Sequence, residues 1–258
     1  MAGWDSQLAG APCSIADSPR TAACRRRLES GEDYLALGSA LSRQRRLREA
    51  VSAYSEAIRL LPGDQRSFRA RAVQYLRILQ PALARTDFLR CGELGGSLPD
   101  IWYHVGICDY LLGEHDLAVG RFQAALPLCG EELRTPVIYW HTLSCCRSGR
   151  RLGLLGQYSG RAGRSTAYDQ ALQLFQGAWD DEALLAALGD ERDDEAYVTA
   201  LYGCCVYWQR HLRQKKVRLW MPRLLERDRE WTAFPYLAAW NDCRESGQPW
   251  LSRIAKPV

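Results

Sequence analysis

The chain has 258 residues, 47% of them apolar and 25% charged, the balance of a globular protein. No run of about 18 apolar residues occurs, so no membrane-spanning helix is expected. A net charge of +4 is too small, on a chain this long, to imply nucleic acid by itself.

Residues 1–30 are rich in Gly, Ala, Ser and Pro and carry little hydrophobic order. They predict a mobile tail, with Arg25-Arg26-Arg27 opening the first helix. Leu8 to Cys13 faintly resembles a bacterial lipoprotein cleavage site but is not expected to be one. It lacks a basic start and an apolar core, and Pro12 stands where a small residue should precede the cysteine.

From 31 to 132 three stretches align at a spacing of 34 residues. Tyr34, Phe68 and Trp102 form one column; Gly38, Ala72 and Gly106 a second; Ala50, Ala84 and Ala118 a third. Tyr54, Phe88 and Phe122 follow, then Ala57, Cys91 and Ala125. Tyr34, Leu37, Gly38 and Leu41 mark one helical apolar stripe, and Ala50, Tyr54 and Ala57 a second, after the basic turn Arg43-Gln44-Arg45-Arg46. Small residues let paired helices approach, and aromatics fill the space between one hairpin and the next. One pair cannot bury its apolar face alone, so copies must stack.

After 132 the period breaks. Residues 133–179 form a degenerate fourth copy, with Trp140, Leu143 and Ser144 opening its first helix and Ala171, Phe175 and Ala178 marking its second. The excess length falls in an Arg/Gly-rich insert at about 149–165, expected as an edge loop because Gly disfavours helix. Leu152, Leu154 and Leu155 provide one short packed turn. In 180–258, Asp180 or Asp181 caps a short helix closed by Gly189. An acidic run, Asp190 to Glu195, precedes a helix from about Asp194 to Arg210 and suits its N-terminus. A basic helix from about Lys216 to Asp228 and a capping helix, about Trp231 to Arg244, follow, with Trp250 docked back on the cap.

The order aromatic, Leu37-Gly38, Leu41, Ala50, Tyr54, Ala57, Pro62 resembles the tetratricopeptide repeat (TPR). The resemblance implies an all-α, right-handed TPR solenoid of about four to five helix hairpins with a C-terminal capping helix. The C-terminal part resembles, in pattern, bacterial TPR adaptors of the new-lipoprotein-I type, which implies an adaptor for cell-wall hydrolases and a protease.

Little in the chain suggests catalysis. Cys145-Cys146 and Cys204-Cys205 are adjacent pairs, not the spaced pairs of zinc sites. The ten cysteines read as reduced packing residues, which points to a reducing, cytoplasmic compartment, the alternative being a membrane-associated protein or one exported by an unrecognised signal. His141 and Cys145 share a helix face, but no oxyanion donors accompany them. No metal, cofactor or enzymatic activity is expected.

The resemblance places peptide binding in a concave groove lined by the first helices. The groove positions fall on Glu32, Leu35, Ser39, Ser42 and Arg43, then Arg66, Arg69, Val73, Leu76 and Arg77, then Asp100, Tyr103, Ile107, Tyr110 and Leu111. From these the candidate site is Arg43, Arg66, Arg69, Val73, Arg77, Tyr103, Ile107 and Tyr110. Arginines for carboxylates beside a Tyr/Ile surface imply a protein or peptide partner with acidic and apolar residues. The chaperone-tail clamp positions hold Leu35, Ser39, Ala70, Asp100 and His104, so that kind of receptor is excluded. The second function class is nucleic-acid binding through the Arg/Gly insert and Arg210 to Arg229. Acids such as Glu226 and Asp228 interrupt the latter stretch, and Tyr158 is the one aromatic in the insert.

Overall fold

A computed structural model describes residues 16–26, 28–160, 167–189 and 191–245. The tail before residue 16, the end of the insert and Trp250 lie outside the described residues. Among the described residues there are thirteen α-helices and no strand, the all-α class expected from the sequence. The described residues divide into two compact units, one running to Cys108 and one starting at Asp109.

Unit 1 holds α1 (Pro19–Arg25), α2 (Gly31–Arg43), α3 (Leu47–Leu60), α4 (Gln65–Arg77), α5 (Pro81–Glu93) and most of α6 (Leu98–Leu111). α2 pairs with α3 and α4 with α5, while α3 packs on α4 and α2 touches α4. This is the TPR-like hairpin arrangement. Ser30 starts α2 with a capping box. Its hydroxyl accepts from the Asp33 N–H, and the Asp33 carboxylate accepts from the Ser30 N–H at 2.9 Å. Asp64 caps α4, and Pro81 stands in the first turn of α5, where a missing N–H leaves nothing unsatisfied.

The hairpin turn repeats with the same period as the core. Arg45 has φ 57°, Leu79 φ 52° and Gly113 φ 76°, each 34 residues on. Beside each, an N–H reaches back five residues: Arg46 to Leu41, Gln80 to Tyr75 and Glu114 to Asp109, at 2.8–3.0 Å. That bond satisfies a helix-terminal carbonyl, and the left-handed residue reverses the chain.

The first core cluster is Leu37, Leu41, Ala50, Ala53 and Tyr54, with Cys24, Leu28, Leu35 and Ala70 against it. The small column has a direct cause in Gly38, where a Cβ would lie 2.4 Å from the Tyr54 ring. Part of the predicted tail is not tail. Residues 19–25 form α1, which packs on α2. Thr21, fully buried, donates to Gln44 at 2.7 Å, and Arg46 binds Asp17 and Glu49.

Unit 2 holds α7 (His115–Ala125), α8 (Glu131–Ser148), α9 (Ala167–Phe175), α10 (Asp181–Gly189), α11 (Asp194–Arg210), α12 (Gln214–Glu226) and α13 (Phe234–Glu245). α8 packs against α7, α9 and α11, so every residue from Val137 to Cys145 is buried. The fourth copy departs from expectation here. α8 begins well before Trp140, and α9 ends at Phe175, leaving Ala178 exposed in a turn. α9 packs chiefly against α11 rather than α8. Gly203 permits this, because a Cβ there would sit 2.6 Å from the Ala171 methyl.

The insert forms a short packed turn around two of its leucines, joined by Tyr158. Leu154, Leu155 and Tyr158 are buried around a short 3-10 turn, Leu155–Gln157, and the Tyr158 hydroxyl donates to buried Asp169 at 2.7 Å. α10, α11, α12 and α13 agree with the sequence reading to within a few residues, with Asp193 capping α11. α13 packs on α11 and α12. Arg147 ties unit 2 internally. Its guanidinium binds Asp242 and donates to the hydroxyls of Tyr110 and Tyr202 at 3.3 and 3.4 Å.

Candidate peptide-binding face

α2 and α4 present the candidate face of unit 1. Arg69, Val73 and Arg77 follow at four-residue spacing on α4, as the sequence reading placed them. Arg66 and Arg69 are exposed but occupied. Arg66 binds Glu32, and its Nε lies 2.9 Å from an Asp64 oxygen. Arg69 grips Asp100 through both oxygens, at 2.6 and 2.8 Å. Burial alone would raise the Asp100 carboxyl. Hydrogen bonds from Arg69 and His104 outweigh it and hold that group far below the usual carboxylate range.

Arg43 and Arg77 are the last residues of α2 and α4. Arg43 is exposed at the end of α2, and no carboxylate pairs with it among the described residues. Arg77 donates to the Ser42 hydroxyl at 3.3 Å, and Ser42 donates to the Gln74 amide oxygen at 3.1 Å. Beside them the Tyr54 hydroxyl lies 3.4 Å from Ser39. Burial pushes that hydroxyl up, while the Ser39 bond and the charges of Arg77 and Arg43 pull it down. The charges of Arg43 and Arg77 therefore both act on the Tyr54 hydroxyl, which lies beside Ser39.

Tyr103, Ile107 and Tyr110 do not belong to this surface. Their exposures are 7%, 0% and 3%. Tyr110 lies in unit 2, its hydroxyl 2.8 Å from that of Tyr202. Burial drives its pKa up to about 12. The reason is legible in α6 itself. From Tyr103 to Leu111 no residue faces water, and most of the stretch is apolar, with His104 and Asp109 buried among the rest. Gln74, Ser39 and Tyr54 were not among the candidate residues. Gln74 carried a signal, since an amide four residues from Ala70, inside an apolar stripe, needs a partner.

The His141–Cys145 pair is present but inert. The Cys145 sulfur is 3.6 Å from Nε2 of His141, and both residues are buried. Burial pushes the thiol up and the imidazole down to about 4, the reverse of what a thiolate–imidazolium nucleophile requires. No group of His, Cys, Asp or Glu among the described residues could hold a metal ion. No helix among them is long and apolar enough to cross a membrane.

No family model and no curated protein matches the chain. A solved structure, that of YrrB, described as "a TPR protein with an unusual peptide-binding site", is 16% identical. The alignment covers 89% of this chain and 100% of that one, with a TM-score of 0.46.

Proposed function

We infer that the protein is a non-enzymatic adaptor that binds a peptide segment of a partner protein on the α2–α4 face. One observation supports this: Arg77 donates to Ser42, the Tyr54 hydroxyl lies beside Ser39, and the charges of Arg43 and Arg77 both act on that hydroxyl. An acidic side chain or C-terminal carboxylate of the partner occupies that spot. Arg66, Arg69 and Val73 continue the face along α4. The pair of Arg66 with Glu32 is exposed enough to exchange for a partner carboxylate, because surface ion pairs are worth about 0–1 kcal/mol. The apolar anchor of the partner meets Val73 in place of the buried tyrosines.

The test is an array of peptides pairing Asp or Glu with one Leu or Phe, followed by titration of the best binder. Arg43→Glu with Arg77→Glu should weaken binding about tenfold or more and flatten its salt dependence. Val73→Asp should weaken it with the salt dependence retained. A peptide that binds and is indifferent to both changes places the site elsewhere.

A further inference from the structure

Arg46, Arg69, Arg71 and Arg147 are neutralised internally by carboxylates. The outward face of α12 is different. Lys215, Arg218 and Arg223 are exposed, and among the described residues no carboxylate pairs with any of them. Their neighbours Arg213 and Lys216 are both held by Asp181, at 2.7 and 2.6 Å. The opposite face of α12 is buried through Val217, Met221, Leu224 and Leu225. The one acid in the helix is its last residue, Glu226.

Two leucines stand among the free cations. Leu219 is 52% exposed, one helical turn from both Lys215 and Arg223. Leu212 is 84% exposed, at the left-handed position of the α11–α12 turn, φ 58°. Leu212, Lys215, Leu219 and Arg223 follow one another at three or four residues, so apolar and cationic groups alternate along one stripe. Arg223 lies over the Trp220 ring, its guanidinium 4.5 Å from the centroid.

We propose that this stripe docks on an anionic lipid surface. Each lysine or arginine brought near such a surface contributes about fivefold in affinity, within a Debye length of about 10 Å. The leucines enter the headgroup boundary between the cations, as the apolar side of an interfacial helix does. Nucleic acid fits the stripe less well. Phosphates would use the cations but not the leucines, and one face of Trp220 is already covered by Arg223. A helical peptide would need a groove, and this is the outer face of one helix.

The experiment is co-sedimentation of the full chain with phosphatidylcholine vesicles, with and without phosphatidylserine. Binding should require phosphatidylserine and fall as salt rises. Lys215→Glu with Arg218→Glu should reduce it about tenfold or more. Leu212→Gly should reduce it several-fold while leaving its salt dependence in place. Glycine suits the positive φ at that position, so that loss is not a folding defect. The proposal is overturned by absence of vesicle binding, by equal binding to neutral vesicles, or by indifference to both variants. It is also overturned if the Glu variant abolishes binding of a single-stranded oligonucleotide while vesicles bind nothing.

Discussion

Gly38→Ala tests whether the small column of the repeat is a packing requirement. The added Cβ would lie 2.4, 2.6 and 2.9 Å from three atoms of the Tyr54 ring. Ordinary carbon contacts begin at about 3.5 Å, so the ring must retreat by roughly 1 Å. It has nowhere to go. Tyr54 is 3% exposed, clustered with Leu37, Leu41, Ala50 and Ala53, and its hydroxyl is beside Ser39. Overpacking costs about 1–3 kcal/mol, and a trapped ring belongs at the upper end. Replacing a mid-helix glycine by alanine returns about 1 kcal/mol. The net is a loss of about 2 kcal/mol. Gly120→Ala is the control, since Gly120 is also inside a helix but nothing lies within 4 Å of its added Cβ. It should stabilise by about 0.5–1 kcal/mol. Urea denaturation followed by circular dichroism measures both. In a Tyr54→Leu background the penalty at Gly38 should largely disappear, a coupling that a double-mutant cycle isolates. If Gly38→Ala raises the midpoint as Gly120→Ala does, the small column reflects something other than helix approach.

Arg147→Met should cost about 3–5 kcal/mol by leaving Asp242 without its cation, and Arg147→Met with Asp242→Leu should recover much of it, read as urea midpoints. His115 and His141 are both pushed down to about 4, by burial first, and for His115 by Arg147 as well. Their unfolded pKa is about 6.5, so the unfolded chain binds more protons between the two values. Stability should therefore fall as pH drops from about 6.5 towards 4, by up to about 3 kcal/mol for the fully buried His141. A pH-independent midpoint across that window would contradict the burial, and His141→Phe should flatten the profile. Tyr158→Ala should destabilise unit 2 by about 3 kcal/mol, because it removes a buried ring and its bond to Asp169. An unchanged melting temperature would return the insert to the status of a loop.

The period was legible because the physics that sets it is local. Gly38 meets Tyr54 within one copy, and the left-handed turn recurs at 45, 79 and 113. The fourth copy was not legible. Ala171 carries the composition of a second repeat helix, but its partner was decided by Gly203, thirty-two residues on, which admits α9 onto α11. In the insert the packing of Leu154 and Leu155 was legible, but that of Tyr158 was not. Glycine content argues against helix, and this segment packs without being one. The groove tyrosines failed differently. Position within a repeat places a residue on a face, but α6 has no polar face to expose between Tyr103 and Leu111.

Charge pairing in unit 1 follows from the period once the geometry is known. Adjacent first helices bring together residues about one repeat apart, so an acid in one copy and an arginine in the next can meet. Arg66 meets Glu32 at a separation of 34, and Arg69 meets Asp100 at 31. Arg77 meets Ser42 at 35. An arginine is neutralised where the neighbouring copy offers a carboxylate in register. Arg77 donates to Ser42 and Gln74, and its charge acts with that of Arg43 on the Tyr54 hydroxyl. Ser42→Asp would place a carboxylate in that register. It should bind Arg77 internally and weaken acidic peptides about as much as removing the arginine, with the fold intact by circular dichroism. If Ser42→Asp leaves peptide affinity unchanged, Arg77 does not carry recognition, and the α4 arginines serve only to join one copy to the next.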